Sequence, residues 1–277
     1  VSNNFHFDIT GIFTSYHNKI VDIPASIYFD NDPPRDLIIQ RNQEGHSLGE
    51  FFGYKVIGLF QSEEDVEKSP DQDDAEPGVF KYADINGDGL INDEDRTFIG
   101  NPHPDFTYGL NISFRFKNFD FSAFFFGSQG NDIFNLTRYF TDFPDYGGSG
   151  IRREVALNSW TPENTNTSIP KMLVTGGFST DRVSNSYFIS DGSYFRCKQM
   201  QIGYTVPSSA LSRFGIDKLR IYAQAANLFT VTGYTGLDAE LQTPPGVNGN
   251  INSKAYGVDQ GNYPHKPTYL FGINLNL

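Results

Sequence analysis

Oxygen-bearing side chains recur at a fixed spacing in one stretch of the chain, and that spacing is typical of a loop that binds Ca²⁺. From Asp84 the sequence reads DINGDGLINDED, which fits the first six positions of the D-x-[DN]-x-[DN]-G calcium motif. The predicted ligands are Asp84, Asn86 and Asp88 through their side chains, Leu90 through its backbone carbonyl, Asn92 directly or through water, and Asp95. Because the twelfth position is Asp rather than the longer Glu, we expect weak structural binding, with a Kd of about 10⁻⁴–10⁻³ M.

The same residues have a second interpretation that needs no metal. Asp and Asn side chains bond readily to backbone amides two residues further on, so a loop of this composition can hold itself together as a series of Asx turns. The sequence predicts no pair of helices on either side of the motif, which argues against a calcium switch of the helix–loop–helix kind. The sequence therefore predicts a calcium-braced loop, with a self-bonded loop as the alternative.

Other residue patterns give little support for catalysis. The five histidines are scattered, without the spacing of a metal site, and no G-x-S-x-G nucleophile motif occurs. The carboxylates are numerous, but no two of them are singled out as a glycosidase pair. The single cysteine, Cys197, lies in a predicted strand and is expected to serve packing. We expect a protein that is not an enzyme.

The calcium-type loop leads into a strand with one apolar and one polar side. Between residues 106 and 116 every even position is apolar and every odd position is polar or Gly. This period of two is typical of a β-strand with one polar and one apolar face. A tight reversal at Lys117–Asn118 and similar alternation elsewhere predict further strands at residues 3–14, 119–126, 193–206, 219–225 and 269–277. A break of parity at the start of the 193–206 strand predicts a β-bulge.

Long connections alternate with short turns between these six strands. Residues 17–105, 128–192 and 232–265 are expected to be mostly irregular, and the acidic segment 63–76 to be a solvated loop. Long loops at one end and short turns at the other are typical of outer-membrane barrels. Eleven residues also suffice for a tilted strand to cross a bilayer.

Composition narrows the class of protein without deciding it. The chain has 277 residues, a net charge of −12 and a pI near 4.7, which argues against nucleic-acid binding because that requires a basic surface. The sequence contains no continuous apolar run of about 18 residues, so no transmembrane helix is predicted. Its start lacks the pattern of a signal peptide, and we expect a mature protein, a domain or a piece of a longer chain. The 26 Phe and 15 Tyr suit either a β-sandwich core or the lipid-facing wall of a barrel.

Several segments together resemble the C-terminal half of SusC/RagA-type TonB-dependent outer-membrane transporters of Bacteroidota. They are YADINGDGLINDEDRTFIGNPHPDFTYGLNISFRFKNFDFSAFFFGSQGNDIFN (82–135), LGEFFGYKVIGLFQ (48–61), DGSYFRCKQMQIGYTVP (191–207), LRIYAQAANLFTVTGYTGLDAE (219–240) and GVDQGNYPHKPTYLFGINLNL (257–277). Two positions depart from the family pattern, Ala239 where Pro is usual and Leu277 where barrel proteins more often end in Phe.

The resemblance implies an all-β fold, an antiparallel transmembrane barrel of about 22 strands with long extracellular loops. Residues 1–277 would be its C-terminal portion, without the plug, the TonB-contacting segment and the N-terminal strands. It further implies the bacterial outer membrane, TonB and a SusD-like surface lipoprotein as partners, and import of oligosaccharides or peptides. The main alternative is a secreted calcium-binding β-sandwich that acts as a binding module or on glycans.

Two further sets of residues have both a functional and a structural interpretation. The polar face carries Asp8, Arg115, Asp120, Arg220 and Gln224, which could line a solute path or simply keep a lumen wet. Trp160, Tyr139, Tyr146, Tyr187 and Tyr194 could stack on sugar rings, although packing within the loops is the commoner role for such aromatics.

Overall fold

The computed structural model describes residues 5–23, 27–30, 37–143, 150–173, 175–241 and 256–276. Within these ranges the chain forms fifteen strands: β1 (Phe5–Thr14), β2 (Ile27–Asp30), β3 (Ile38–Asn42), β4 (Glu50–Gly53), β5 (Val56–Leu59), β6 (Phe80–Tyr82), β7 (Thr97–Gly100), β8 (Phe106–Phe116), β9 (Phe119–Gln129), β10 (Asp132–Asn135), β11 (Ile189–Asp191), β12 (Tyr194–Thr205), β13 (Lys218–Thr232), β14 (Val258–Asp259) and β15 (Thr268–Asn276). The helices of the same ranges are short: α1 (Glu63–Glu67), α2 (Arg138–Thr141), α3 (Arg153–Asn158), α4 (Ser208–Leu211) and the 3-10 turns Asp93–Asp95, Ser186–Phe188 and Ser212–Phe214. None of these helices has the length and apolarity needed to span a membrane.

The six long strands form one antiparallel sheet in the order β1-β8-β9-β12-β13-β15. All six strands predicted from alternation are present, with ends within a few residues of the prediction except that β13 continues to Thr232. Residues 3, 4 and 277 of the predicted strands lie outside the described residues. The reversal at Lys117–Asn118 is also confirmed, with Lys117 at a φ of 53°. We call this sheet the wall.

Register places apolar residues opposite one another across the whole width of the wall. Following one row, Phe7 pairs with Phe114, Phe114 with Phe121, Phe121 with Ile202, Ile202 with Ala223 and Ala223 with Phe271. The resulting outer face is uncovered, since Phe271 is 83% exposed and Ile202 54%. A band of this kind is what hydrocarbon tails would cover in a barrel.

The β-sandwich alternative is wrong for this chain. A sandwich would bury Phe106, Tyr108 and Phe114 under a second sheet, yet all three are only half-buried. None of them belongs to the two clusters of buried apolar residues in the described structure. The fold is therefore the predicted one, an antiparallel transmembrane β-barrel segment.

A β-bulge interrupts β12 where the sequence predicted one. The register of β12 shifts between Cys197 and Gln199 against both neighbours. Lys198 is the extra residue against β9, whereas Asn227 and Leu228 of β13 both lie opposite Lys198. The bulge re-aims the side chains around it. Cys197 lies on the outer face in line with Phe125 and Phe229 and is fully buried, which agrees with a packing role.

The connections at one end of the wall are not irregular, contrary to the prediction for residues 17–105 and 128–192. Short strands form a sheet β2-β3-β4-β7, a pair β5-β6 and a sheet β11-β10-β14 in which β10 and β14 are parallel. The acidic segment begins with a helix, α1, whose first turn is capped by Ser62 accepting from the amide of Asp65 at 3.2 Å. We call these sheets and their connections, within the described residues 27–30, 37–100, 132–143, 150–173, 175–191 and 258–259, the loop layer.

The main hydrophobic core of the described chain lies in this loop layer and not in the wall. Its fully buried members include Ile39, Phe51, Phe80, Phe134 and Phe188. Tyr139 and Phe188 stack with ring centroids 3.8 Å apart. The long connections thus form a packed body at one end of the wall.

Candidate functional site

The inner face of the wall carries the polar residues, as the alternation predicted. Asp120 on β9 and Arg220 on β13 form a bidentate ion pair across β12, with Nε–Oδ1 at 2.9 Å and Nη2–Oδ2 at 2.5 Å. Gly203 lies between them, and a Cβ there would collide with both side chains. Arg115 pairs in register with Asp120 on the neighbouring strand, and Asp8 contacts His6 at 2.7 Å. Gln224 occupies the same face.

A buried ionic cluster joins the inner face to the connection between β13 and β15. Arg196 on β12 is 2% exposed and donates to Glu240 Oε2 at 2.6 Å, to Thr230 Oγ1 at 2.7 Å and to Asp238. Lys198, the bulge residue, donates to the same Glu240 carboxylate at 2.5 Å. Because a buried charge is tolerated only when it is paired and hydrogen-bonded, this cluster fixes where the 238–240 loop meets the wall.

Asp238 also holds the segment that precedes β15. Its Oδ2 accepts from the His265 amide at 2.8 Å and contacts His265 Nδ1 at 2.9 Å, while Oδ1 accepts from the Glu240 amide at 2.9 Å. Burial alone would raise the pKa of Asp238, but these donors and Arg196 outweigh it and hold the pKa below its usual value. No residue pattern predicted this cluster, although the resemblance singled out its Asp238-Ala239-Glu240 segment.

The calcium-type loop is organised by bonds within itself. Asp84 accepts the amides of Gly87 at 2.7 Å and Gly89 at 2.9 Å, and the Gly89 amide is the main cause of a lowered Asp84 pKa. Asn86 Oδ1 accepts from the Asp88 amide at 3.0 Å, and Asp88 Oδ1 accepts from the Leu90 amide at 2.8 Å. These are the Asx turns of the metal-free interpretation.

The far end of that loop is anchored in the core. Asp95 is fully buried, with its carboxylate accepting from the amides of Ile85 at 2.8 Å and Asn92 at 2.9 Å. Asn92 in turn caps the 3-10 turn through the Glu94 amide at 2.7 Å. Across the described residues no three His, Cys, Asp or Glu side chains are gathered closely enough to hold a metal ion. A bound Ca²⁺ would therefore depend on the amide and carbonyl oxygens of Asn86, Asn92 and Leu90 as well, and the calcium site stays a prediction.

The loop aromatics pack against protein. Trp160, Tyr139 and Tyr194 are each at most 7% exposed, and Tyr187 packs against the main core. Tyr187 also donates to the buried Asp142 at 2.8 Å. This burial supports the packing role for Trp160, Tyr139 and Tyr187, whereas Tyr194 also lines a cavity. Stacking on sugar rings stays an untested alternative, and Tyr146 lies outside the described residues.

A cavity of about 280 Å³ lies where the inner face meets the loops. Its floor is a cross-strand row of Thr107, Ser128 and Tyr194, with Phe126 beside it. The sides of the cavity are formed by residues of the connecting loops, among them Tyr16, Pro104, Ala239, Glu240 and Tyr256. Burial next to Tyr16 raises the pKa of Tyr256 to about 12. Sequence reasoning missed this cavity because six separate segments build it.

Comparison with known proteins places the chain among outer-membrane receptors. No protein-family model matches it. It is 36% identical over 272 residues to TonB-dependent receptor P3 of Formosa agariphila, a match that covers 96% of this chain and 26% of that protein. It is 24% identical over 289 residues to TonB-dependent receptor SusC of Bacteroides thetaiotaomicron, covering 100% of this chain and 25% of SusC.

The fold has a counterpart among solved structures as well. The RagAB peptide transporter superposes with a TM-score of 0.73 at 21% identity, over 99% of this chain and 27% of the transporter chain. This chain thus spans about a quarter of the length of the curated relatives it matches. These relatives are receptors and transporters rather than enzymes, in agreement with the prediction. Their alignment and the architecture of the wall show that the chain is a C-terminal segment of a SusC/RagA-type TonB-dependent receptor of the outer membrane.

Proposed function

We propose that this chain forms part of the barrel wall of an importer that carries nutrient solutes across the outer membrane with energy from TonB. The observation that carries the proposal is the two-sidedness of the wall, which is apolar and uncovered outside and largely polar inside, with Phe124 and Phe126 of β9 as apolar exceptions. A barrel wall separates lipid from a wet lumen in this way. The rest of the receptor would supply the remaining strands, the plug and the TonB-contacting segment.

The solute class is an oligosaccharide or a peptide, and the partner is a SusD-like lipoprotein seated on the loop layer. The shared fold with the RagAB peptide transporter supports the peptide class, and the family resemblance of the sequence is the ground for the oligosaccharide class. The packed core of the loop layer supports the proposal of a partner. A surface backed by buried residues such as Phe134 and Phe188 keeps its shape when no partner is bound. Binding to a preformed surface avoids the entropy cost of ordering loops.

Import is tested in cells that carry the whole receptor. Three strains are compared, one with the receptor, one without it and one with the receptor but without functional TonB, each supplied with separate oligosaccharide and peptide mixtures. We expect depletion of one mixture only in the first strain. Equal depletion by all three strains would refute the proposal, and depletion by the first two alone would place uptake elsewhere.

We also propose that the Asp84–Asp95 loop binds Ca²⁺ weakly and braces the loop layer. Gly87 and Gly89, with φ of 78° and 84°, permit the sharp turn that a calcium loop requires. Calorimetry on the purified receptor should show Ca²⁺ uptake that Asp84→Asn abolishes, with Asp73→Asn, outside the motif, as the matched control. Absence of uptake by the unchanged receptor would leave the self-bonded loop as the correct interpretation.

A further inference from the structure

The cavity at the junction of the inner face and the loops has walls that are held in place from behind. Ile133, Tyr194 and Ala239 belong to a buried cluster against which Phe126 packs. Phe126 and Tyr194 lie with ring centroids 6.3 Å apart. The aromatic surfaces on this side of the cavity are therefore fixed.

The opposite side is set by a second group of aromatic rings. Tyr16 contacts His103 Nδ1 through its hydroxyl at 3.0 Å, and the His103 ring lies 5.0 Å from that of Tyr256. His103 is itself fixed by a contact of Nε2 with the Leu48 carbonyl at 2.8 Å. Both sides of the cavity are thus prearranged for a ligand group, which reduces the entropy cost of binding.

The polar groups that line the cavity are mostly engaged with other parts of the protein. Ser128 donates to Asn131 at 2.9 Å, and the Glu240 carboxylate accepts from Arg196 and Lys198. A hexose ring in this space would leave several hydroxyl groups without partners, and each unpaired buried hydroxyl is costly. An apolar group needs no such partners and gains from leaving water.

Size and position restrict the ligand further. At about 280 Å³ the cavity is below the usual range of pockets for whole drug-sized ligands, about 300–1,000 Å³, so it suits one group of a larger solute. Its floor is the polar inner face of the wall, along which the rest of that solute would extend. We propose that the cavity binds one apolar or aromatic side chain of a peptide, an inference that rests on the proposed import function.

The test uses the full-length receptor in detergent and two fluorescein-labelled decapeptides that differ at one central position. One decapeptide has a single Phe in a Gly/Ser background, and the other has Ser in its place. We expect the unchanged receptor to bind the Phe peptide about tenfold more tightly, the fold-change that ~1.4 kcal/mol represents. This comparison needs no variant and is independent of any folding defect.

A cavity-filling substitution then locates the binding. Thr107→Phe fills the cavity floor, while Asn111→Phe adds the same ring to the same face of β8 four residues away. Thr107→Phe should remove the preference for the Phe peptide, and Asn111→Phe should leave it within twofold. Equal binding of both peptides by the unchanged receptor, or a preference that survives Thr107→Phe, would overturn the inference. TonB-dependent uptake of oligosaccharide alone, without peptide discrimination, would overturn it and leave the import function intact.

Discussion

Replacing Arg196 with Ala should release the loop that joins the inner face to the segment before β15. The Arg196 side chain is 2% exposed and that of Asp238 is 6% exposed, so the substitution leaves a carboxylate in a site that water scarcely reaches. Removing one partner of a buried ion pair typically costs about 3–5 kcal/mol. Asp238 retains the amides of Glu240 and His265, and Glu240 retains Lys198. We therefore expect the lower end of that range, ~3 kcal/mol.

Arg220→Ala is the matched control, because it also removes an inner-face Arg that donates two hydrogen bonds to carboxylate oxygens. The Arg220 and Asp120 side chains are 17% and 26% exposed, so water can solvate the remaining carboxylate. We expect a cost of about 1 kcal/mol, as for solvent-accessible pairs. The two substitutions thus separate burial from the mere presence of an ion pair.

The assay is amide hydrogen exchange on the whole receptor in detergent, which reports local opening without requiring global unfolding. The amides of Glu240 and His265 donate to Asp238 and are the probes. With Arg196→Ala their exchange should accelerate about a hundredfold, since each 1.4 kcal/mol is a factor of ten. With Arg220→Ala it should stay nearly constant. If both variants changed these amides equally, or neither did, the assignment of the cluster as the loop anchor would be refuted.

Three further outcomes follow from the same structure. The pKa of Asp238 is held below its usual value of 3.8. The contribution of Asp238 to stability is therefore present above that value and is lost as the pH falls through the lower folded-state pKa. Exchange of the His265 amide, corrected for intrinsic rates, should accelerate only below about pH 4. Ile112→Arg on the outer face should lower barrel stability by about 2–4 kcal/mol and reduce the amount recovered in outer membranes, whereas Asn111→Arg on the inner face should not. Gly127→Ala should lower the unfolding midpoint in denaturant, because the added Cβ would lie 2.4 Å from the Tyr108 ring, at a cost of about 1–3 kcal/mol. Gly11→Ala is the control on the same face, and it should leave that midpoint unchanged because nothing lies within 4 Å of its added Cβ.

The wall could be predicted from sequence because its signal is local. In β8 every residue reports its own side of the sheet through a period of two, and the same parity continues across all six strands. Even the exception was informative, since the lost parity near Cys197 coincides with the observed register shift. The resemblance added the barrel closure that six strands alone do not define.

The loop layer could not be predicted because its contacts are distant in sequence. The amide of Tyr54 donates to the Ser184 carbonyl at 2.9 Å, and the amide of Phe80 to the Ser179 carbonyl at 2.9 Å. Strands of three to five residues such as β4 and β6 are too short to show a period. The ionic cluster was missed for the same reason, since Arg196 and Asp238 are 42 residues apart and meet only when the loop folds back on the wall.

Wall and loop layer are stabilised by different physical effects, and this difference bears on how the receptor works. The wall has almost no buried side chains of its own on the outer face, so its ladder of backbone hydrogen bonds depends on lipid to cover residues such as Phe13 and Phe271. The loop layer, with Phe134 and Phe188 fully buried, is packed as a soluble domain is. Damage to its core would therefore distort the surface that we propose faces solute and partner, while the strands remain in the membrane. Surface recognition and membrane insertion are therefore separable properties of this chain, and the Arg196 cluster belongs to the wall side, where it holds the β13–β15 connection against β12.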